Sequence, residues 1–549
     1  MAENRMPDDS ALGDDHEAQP APEHSRRSAT RILLALAAVV PLALAAGAVA
    51  TAPSEEIPVV QRATAESEPG ASTRWCQGPL QLPEQLLDSG ADTELAATPP
   101  STEISLRTTS VEPASSVLFG TVSGSATQQE DDGSVRAPSI TARSIDGTDL
   151  TDQPVSQDIG VSVQDLQATD GPLHVSSATS EGGRPVTDSL QSTITTSGDY
   201  RSLAVTRCAE PATEARFLGM STATGDSSVL VLRNPTERAA TASVQLWTED
   251  GPAAMEGRSQ VVVAPGAEER VLLESVAAGQ AAVGVDVSVL GSPLVMHVQT
   301  TELEGLTPGG AEILSPLPAA ATELQMPGVD VAGTPPTLVL ANPQGADTTA
   351  TVEVLGPEGA VQTAAREEIE IPAGTVLRTP LEGLPDGTYS VSVRAADPIT
   401  AVTRSVRTGA DLPGDTIGAP VDFTLVAPAP ALSSHGMSSL PIQAGGGELT
   451  LVGTADSAIT VVPIAADGSA GAPVEVAVTT GSTTTLTAAQ LQVGAGVLAA
   501  LSIVPEVPGA VHASWMQRTD DGAGGLLLSS LPVHADQGGG KPVVVRLGE

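Results

Sequence analysis

The feature that most constrains this chain is a threefold internal repeat of about 110 residues in its second half. The first copy opens on an apolar run that ends in Asn234-Pro235, and the second opens on a similar run that ends in Asn342-Pro343. The third copy opens at residues 449–454, so that matching positions lie 108 and then 111 residues apart. Turn pairs and Pro-containing closing motifs keep the same order in the copies. Such ordered matches predict a tandem array of similar structural units.

Each copy has the pattern of β-structure. Residues 242–247 and 283–289 alternate between apolar and polar side chains, which places one strand face in a core and the other in water. About seven such runs per copy, separated by turn signals, are typical of an antiparallel β-sandwich of immunoglobulin type. In the second copy Tyr389 follows a turn at the start of a strand, where a tyrosine corner would bond to backbone upstream.

The two Asn-Pro pairs occupy one repeat position and account for two of the three asparagines in the chain. An asparagine side chain caps turns, and proline ends a strand ladder, so Asn234, Pro235, Asn342 and Pro343 are predicted to be structural turn residues. The alternative is N-glycosylation at Asn234, but Pro235 in the middle position blocks that acceptor motif.

The N-terminus indicates export. Residues 1–31 are polar and are predicted to be a disordered cytoplasmic tail. Residues 32–52 are apolar, uncharged and long enough to span a bilayer, with arginines before them and acids after, so they are predicted to be a transmembrane signal anchor with the bulk of the chain extracellular. The alternative is a secreted protein, cleaved after Ala50. Twin-arginine export is a weaker alternative, since the apolar residues expected after Arg26-Arg27 are missing.

The chain has two cysteines, Cys76 and Cys208, and both follow the apolar segment. In an oxidising compartment they are predicted to form one disulfide, which would close a loop of about 130 residues. The alternative is two separate buried thiols.

The predicted order of domains runs along the whole chain. After the anchor come a linker (53–74), a membrane-proximal β-rich domain (75–220), the three immunoglobulin-like repeats (221–322, 323–436 and 437–535) and a tail (536–549). The predicted fold class is therefore all-β, with tandem immunoglobulin-like antiparallel sandwiches after one N-terminal transmembrane helix.

Composition excludes several classes of function. The formal net charge is −41, and Phe, Tyr and Trp together make up 1% of the residues. A nucleic-acid partner is not expected, because binding needs cations for phosphates and often aromatic rings for bases. Two cysteines cannot build the usual structural zinc site. The acids are spread along the chain, which indicates a solvated surface or a basic partner.

The sequence predicts no catalytic, cofactor-binding or metal site. The segment 225–228, with Asp226 and Ser227, superficially resembles a serine-hydrolase motif, but no companion His motif accompanies it. The glycines before Lys541 lack the Ser or Thr of a phosphate loop. Acidic residues at 130–132 and 146–152 lack the ordered spacing of a calcium loop. Five histidines follow the apolar segment, and they are expected to be packed or solvated: His174, His297, His435, His512 and His534.

Short motifs around the cysteines carry a family resemblance. They are the segment 75–79 (Trp-Cys-Gln-Gly-Pro), the segment 207–211 (Arg-Cys-Ala-Glu-Pro) and the segment 216–219 that leads into the Asn-Pro strands. With the single apolar span, they resemble a family of single-span exported β-rich proteins of high-GC actinobacteria, which has no assigned activity. Members tend to be encoded near envelope glycosyltransferases, so the resemblance implies a role in the cell envelope and carries over no catalytic residue.

Three functions remain as hypotheses. The first is a membrane-anchored extracytoplasmic array that acts as a structural or interaction protein of the cell envelope, with an unknown envelope protein or glycan as its partner. The second is an accessory or glycan-binding partner of an envelope polysaccharide system, which the scarcity of aromatic residues disfavours. The third is an enzyme with its site in residues 75–220, but no catalytic constellation is recognised there, and the protein is predicted not to be an enzyme.

Overall fold

The computed structural model describes residues 64–67, 72–82, 98–111, 137–145, 147–150, 155–156, 161–169, 171–178, 185–255, 257, 259–363, 368–411, 418–432, 436–535 and 543–546. Within these residues the regular structure consists of β-strands and three single-turn 3-10 helices, so the predicted all-β class is confirmed. None of the helices in the described part of the chain has the length and apolar character needed to cross a bilayer. The predicted tail (1–31) and anchor (32–52) lie outside the described residues. Residues 66–544 form one compact unit, and residues 1–65 with 545–549 form another.

The N-terminal module, β2 to β9, contains two antiparallel sheets with the orders β2-β7-β4 and β5-β6-β3-β8-β9. The first nine strands in the described part of the chain are β1 (Thr64–Ser67), β2 (Ser72–Cys76), β3 (Ile104–Val111), β4 (Ser139–Ser144), β5 (Val155–Ser156), β6 (Val161–Thr169), β7 (Leu173–Ala178), β8 (Val186–Thr195) and β9 (Ser202–Arg207). Ile104 and Leu106 of one sheet share a buried cluster with Ile140 and Val175 of the other.

Repeat 1 runs from β10 to β18. Its strands are β10 (Glu214–Met220), β11 (Ser227–Arg233), β12 (Ala240–Thr248), β13 (Gly251–Pro252), β14 (Gln260–Val263), β15 (Glu268–Leu272), β16 (Val283–Gly291), β17 (Val295–Glu304) and β18 (Thr307–Leu314). A 3-10 helix, Leu273–Ser275, follows β15.

Repeat 2 runs from β19 to β26. Its strands are β19 (Ala321–Val331), β20 (Thr337–Ala341), β21 (Thr348–Gly356), β22 (Gly359–Val361), β23 (Glu368–Ile371), β24 (Val376–Pro380), β25 (Gly387–Thr408) and β26 (Val421–Val426). The long β25 takes the place of both β16 and β17 of repeat 1, because its first half pairs in one sheet and its second half in the other.

Repeat 3 runs from β27 to β35. Its strands are β27 (Gly436–Ser439), β28 (Glu448–Gly453), β29 (Ser457–Ala465), β30 (Val474–Val478), β31 (Thr483–Thr487), β32 (Leu498–Pro505), β33 (Val511–Asp520), β34 (Leu526–Pro532) and β35 (His534–Ala535). Two 3-10 helices, Ala444–Gly446 and Ala488–Gln490, precede β28 and follow β31. The last strand of the chain, β36 (Val543–Arg546), pairs with β1 in a separate two-stranded sheet.

The three repeats have the same topology. In repeat 1 one sheet contains the order β10-β16-β12, with β13 and β14 beside β12, and the other has the order β15-β11-β17-β18. Repeats 2 and 3 reproduce the pairings of the main strands, while in the described part of repeat 3 no strand corresponds to β13 and the two-residue β35 pairs with β27. Leu230 and Met296 of one sheet lie in the same buried cluster as Val244 and Val285 of the other, so the two sheets pack face to face over one core.

The strand order departs from the immunoglobulin order that the sequence predicted. In immunoglobulin domains the first strand lies beside the second, and the seventh beside the sixth. In repeat 1, with the two-residue β13 left out of the count, the first strand, β10, pairs with the sixth, β16. The seventh strand, β17, pairs with the second, β11. The alternating pattern identifies strands and their buried faces, but it does not specify which strand is the neighbour of which.

Three predicted boundaries also differ from the structure. Repeat 1 begins at Glu214 instead of residue 221, because β10 pairs along its whole length with β16. The predicted linker 53–74 contains β1 and the start of β2, which pairs with β7. The predicted tail 536–549 contains β36. These short segments have too few residues to show a periodicity, and pairing with distant strands determines their structure.

The four modules close into a ring. The last long strand of each module, β9, β18, β26 or β34, lies at the centre, and we call these four the central strands. The strand β9 contacts β18 and β34, and β26 also contacts β18 and β34, so the circuit is complete. In β9 and β26 nearly every residue is buried on both faces. A terminal strand of each module is thus covered by its neighbours, which removes the exposed edge that a free sandwich presents.

Apolar clusters join neighbouring modules around the ring. Between the N-terminal module and repeat 3, Leu203 and Val205 pack with Leu527 and Leu531. Leu218 of repeat 1 shares a cluster with Leu425 of repeat 2, and Leu340 of repeat 2 shares one with Met516 of repeat 3. Ala204 of the N-terminal module shares a cluster with Ile313 of repeat 1. Burial of apolar surface stabilises a fold by about 25 cal/mol for each Å². The apolar side chains buried at these joints therefore add to the stability that the cores of the single modules provide.

One glycine permits the close approach of two central strands. Gly310 in β18 has a φ of 101°, and a Cβ atom there would lie 2.9 Å from Oδ1 of Asp422 in β26. Any larger side chain at this position would combine backbone strain with a clash. The distance between β18 and β26 is therefore set by glycine at this position.

Candidate functional site

The centre of the ring contains a cavity with a volume of about 390 Å³. It is lined by residues of the central strands, by Phe217, Leu218 and Val402 of neighbouring strands, and by the segments at or just after the ends of the central strands in the three repeats. These segments are the repeat-closing motifs of the sequence, at residues 315–318, 427–430 and 529–532. The ring closure brings three motifs together that lie more than 100 residues apart in the chain.

The walls of the cavity are mainly aliphatic. The apolar lining includes Val205, Leu218, Leu314, Val402, Leu425 and Leu531, so all four modules contribute. Five prolines also line it: Pro316, Pro318, Pro428, Pro430 and Pro532. Pro318 and Pro430 are exposed to solvent, which places the mouth of the cavity at the closing motifs.

One buried carboxyl group, that of Glu312 in β18, lines the cavity. The hydroxyl of Ser529 in β34 donates a hydrogen bond to Glu312 Oε1 over 3.0 Å. Burial raises the pKa of Glu312 well above its ordinary value, although hydrogen bonds from Thr424 and Ser529 oppose the shift. Its protonated form, which burial favours, can act as both a donor and an acceptor.

A second buried carboxyl group, that of Asp422 in β26, joins three central strands. Its Oδ2 accepts hydrogen bonds from the backbone N–H of Leu528 in β34, over 2.9 Å, and of Leu203 in β9, over 3.3 Å. Burial raises the pKa of Asp422 to about 8, while these hydrogen bonds and the charge of Arg201 lower it by less. The carboxyl groups of Glu312 and Asp422 together connect all four central strands.

We expect the variant Asp422→Asn to be more stable than the wild type at neutral and alkaline pH. A carboxyl group whose pKa is raised on folding costs no stability below its unfolded pKa near 4. Its cost then grows as the pH rises, and it is complete above about pH 8. Asparagine keeps an oxygen that accepts from both backbone N–H groups, but it cannot ionise. The variant should therefore gain on the order of a few kcal/mol of stability over wild type at pH 8 and nothing near pH 4.

Chemical denaturation at several pH values measures this difference. The control is Asp411→Asn, which removes an exposed carboxylate. A difference between Asp422→Asn and wild type that stays constant from pH 4 to pH 8 would contradict the raised pKa.

The positively charged group at the cavity, Arg207, is already engaged. Its guanidinium pairs with Asp188, donates to Ser438 Oγ over 3.0 Å and donates to the carbonyl of Pro532 over 2.7 Å. These contacts join the N-terminal module to repeat 3. The neighbouring His534 has its pKa lowered to about 4 by burial, so it is neutral at pH 7. The cavity therefore offers no unpaired charge among its described lining residues.

The predicted site residues occupy other parts of the molecule. A disulfide bond joins Cys76, at the end of β2, to Cys208, which directly follows β9. It connects the two sheets of the N-terminal module. Tyr389 donates from its hydroxyl to the carbonyl of Pro385 over 3.0 Å, four residues upstream. This is the contact that defines a tyrosine corner, although the strand order around it is not that of an immunoglobulin domain.

The asparagines of the Asn-Pro pairs, Asn234 and Asn342, are fully buried. Asn342 Nδ2 donates to the carbonyls of Ala346 and Ile371 over 2.8 and 3.1 Å, and its Oδ1 accepts the N–H of Gln344. Asn234 makes the equivalent contacts. Each side chain thus holds its own turn against the end of a more distant strand, β14 in repeat 1 and β23 in repeat 2. Asn234 and Asn342 directly follow β11 and β20, and Pro235 and Pro343 come next.

We expect the variant Asn342→Ala to lose about 2 kcal/mol of stability, because the buried carbonyl of Ile371 and the more exposed carbonyl of Ala346 would both lose their donor. Thermal unfolding of the full chain, followed by circular dichroism, measures the loss. Gln344→Ala, which changes an exposed residue of the same turn, should leave the midpoint within error. Equal midpoints for Asn342→Ala and wild type would show that the amide contacts carry little net stability.

The remaining candidates of the sequence make structural contacts. Ser227 Oγ donates to Glu274 over 2.7 Å, and Asp226 accepts the backbone N–H of Leu303, so the segment 225–228 is held as a turn entering β11. His174 packs on Trp75 with the ring centroids 4.6 Å apart. Trp515 is fully buried in repeat 3. Within the described residues no group of three or more His, Cys, Asp or Glu could hold a metal ion, and residues 130–132 lie outside them.

The carboxyl groups at the centre of the ring were missed by the sequence reasoning, although a signal for them exists. Glu312 lies between Ala311 and Ile313, and Asp422 lies between Val421 and Phe423, in strands where an acid interrupts an apolar run. Acids in such strands normally mark the solvated face. Only the contact of both faces with other modules shows that these two are buried.

Comparison with known proteins identifies a family and a weak likeness to a solved structure. None of the curated proteins compared with the chain matches it. Among solved structures, a tetra-tandem repeat in the extending region of a large adhesion protein matches with 12% identity and a TM-score of 0.10, over 73% of this chain and 91% of that chain. A TM-score this low supports no inference about fold or function. Residues 163–489, more than half of the chain, match a family of unknown function, DUF5719. This match confirms the resemblance to a family without an assigned activity, and the chain belongs to the DUF5719 family.

Proposed function

We propose that the protein is a membrane-anchored, extracytoplasmic structural or interaction protein of the cell envelope. Its modules are immunoglobulin-like in architecture, since two antiparallel sheets pack face to face, and they have a strand order of their own. The proposal places the N-terminus in the cytoplasm, the residues 32–52 in the membrane and the bulk of the chain outside. Secretion after cleavage following Ala50 is the alternative location.

The observation that carries the proposal is the closed ring of four modules held by buried polar contacts. Arg107, which is 1% exposed, binds Asp165 within the N-terminal module and donates to backbone carbonyls of repeat 3, including that of Pro441 over 3.2 Å. Arg201 of the N-terminal module pairs with Asp521 of repeat 3 in a buried ion pair. Such directional contacts fix the modules in one arrangement, which suits a rigid body that presents surfaces to partners.

The disulfide supports the proposed location outside the cytoplasm. Stable disulfides form in oxidising compartments, and Cys76 and Cys208 are both bonded. The acidic surface supports a partner with basic groups, because a net charge of −41 repels anionic lipids and anionic wall polymers.

Crosslinking of the intact protein in its native membrane, followed by mass spectrometry, tests the proposal. We expect a small set of envelope proteins whose capture weakens as the ionic strength rises, since charge steers the association. N-terminal sequencing of the same preparation separates the anchored form from the form cleaved after Ala50. Turnover of an envelope polymer by the purified protein would overturn the proposal.

Glycan binding, the second function considered, is not supported by the described structure. Sugar rings are usually bound on exposed aromatic faces. Trp515 is fully buried in repeat 3, and Trp247 packs against the apolar joint of repeats 1 and 2. Trp515 is therefore closed to a sugar ring, while Trp247 and Trp75, which packs on His174, are each only partly exposed.

A further inference from the structure

We propose that the cavity at the centre of the ring binds one neutral aliphatic chain, namely the acyl chain of a fatty acid or lipid. The inference goes beyond the proposed envelope role and depends only on the cavity, so either can fail without the other. It is carried by three properties of the lining: its aliphatic character, its lack of an available charge and its proline-rich mouth.

The size and the walls of the cavity suit a hydrocarbon chain. A volume of about 390 Å³ lies within the range of small-molecule sites, which is roughly 300–1,000 Å³. Cavities with aliphatic walls exclude water and take up apolar molecules. Among the described lining residues Phe217 is the one Phe, Tyr or Trp, and it is buried in the core of repeat 1. A ligand with an aromatic or sugar ring would therefore find no free face on which to stack.

The electrostatics of the cavity favour a neutral ligand group. Arg207 is fully engaged by Asp188, Ser438 and a backbone carbonyl, so it cannot neutralise an anion inside the cavity. Glu312 is buried, and its Oε1 already accepts a hydrogen bond from Ser529, so burial disfavours its charged form and a cation finds no solvated carboxylate there. Bringing a charge into these walls would cost its hydration without a compensating partner.

The mouth of the cavity distinguishes an acyl chain from a peptide with aliphatic side chains. A bound peptide must exchange the water around its carbonyl groups for backbone N–H donors. The five lining prolines have no N–H, so the closing motifs offer few donors at the place where a peptide backbone would lie. An acyl chain has no such requirement, because its CH₂ groups need only apolar contact.

Photolabelling of the full chain tests the proposal. The protein is purified in a steroid detergent, which has no acyl chain to compete, and is incubated with a palmitic acid analogue that has a diazirine near the end of its chain. A parallel sample receives a neutral leucine-rich peptide that carries the same diazirine. We expect the fatty acid probe to label peptides that contain Leu314 or Leu425, and the peptide probe to leave them unlabelled.

Cavity-filling variants provide the decisive comparison. Ala427 lines the cavity and is half-buried, so Ala427→Phe should occupy the volume and reduce fatty acid labelling about tenfold. Ala458→Phe changes a half-buried alanine in β29 of repeat 3 that is not among the lining residues, and it should label like wild type. If Ala427→Phe fails to fold, the second variant is Leu317→Ser, which puts a polar group in the apolar wall at the mouth and should also reduce fatty acid labelling. Unchanged labelling in a folded variant, labelling outside the cavity, or preferential labelling by the peptide would overturn the proposal.

Discussion

Replacing both Cys76 and Cys208 by serine is expected to reduce the stability of the N-terminal module by about 4–5 kcal/mol. The bond closes a loop across 132 residues, and the stabilisation grows with the length of the loop that is constrained in the unfolded chain. The effect should be large because the bond joins the two sheets of the module, whose shared apolar cluster is smaller than the repeat cores among the residues that the structure describes.

Hydrogen exchange of the full chain measures this loss module by module. Peptides that contain β2 and β9 should exchange much faster in the double serine variant and in reduced wild-type protein. Peptides from the core of repeat 2, such as those that contain β21, serve as the internal control and should change little. Equal protection of β2 and β9 in oxidised and reduced protein would show that packing alone holds the module closed.

Replacing Asp330 by alanine is expected to destabilise the joint between repeats 2 and 3 by about 3–5 kcal/mol. Asp330 is 1% exposed and receives hydrogen bonds from Arg407 of its own repeat, over 2.5 and 2.8 Å, and from Arg518 of repeat 3, over 2.8 Å. Removing the carboxylate leaves two guanidinium groups partly buried, and Glu448, 3.8 Å from Arg518, offsets only part of their charge. The cost is therefore that of uncompensated charge in addition to that of the lost hydrogen bonds.

The same site predicts sensitivity to acid. Burial would raise the pKa of Asp330, but the hydrogen bonds and charges of Arg407 and Arg518 outweigh it and hold the pKa below its ordinary value. A lowered carboxyl pKa gives stability that is complete above the ordinary value near 4 and is lost as the pH falls below it. Wild type should therefore lose its advantage over Asp330→Ala below about pH 4.

Denaturant unfolding at pH 7 and at pH 3 measures both effects. The matched control is Glu353→Gln, which removes an exposed ion pair with Arg394 in the same repeat, at 3.9 Å. Exposed pairs contribute about 0–1 kcal/mol, so this variant should resemble wild type at both pH values. A loss for Asp330→Ala that is no larger than that of Glu353→Gln would contradict a central role for the buried contact.

Much of the local structure could be predicted from the sequence because it depends on short-range patterns. Alternation in 242–247 and 283–289 identified β12 and β16, and the repeat period located matching strands in the three copies. The pairing of Cys76 with Cys208 required only the count of two cysteines and the exported context. The buried turn contacts of Asn234 and Asn342 correspond to the geometric demand inferred from their shared position.

The candidate cavity could not be predicted in this way. Glu312 and Asp422 occupy strand positions that look solvated, and the closing motifs look like linkers between tandem domains. Their environment depends on Ser529, Leu528 and Leu203, which are about 100 to 220 residues away along the chain. No periodicity within a window of ordinary length contains that information.

The sequence by itself determined the all-β class, the threefold repeat, the cysteine pair and the turn residues, since each depends on neighbouring residues or on residue counts. The tertiary structure alone decided the strand order, the closure of four modules into a ring and the cavity at its centre. The physical reason is that a sandwich leaves edge strands whose partners its own sequence does not specify. Here β9, β18, β26 and β34 cover one another's edges. Only this contact buries the carboxyl groups of Glu312 and Asp422 and encloses the aliphatic cavity.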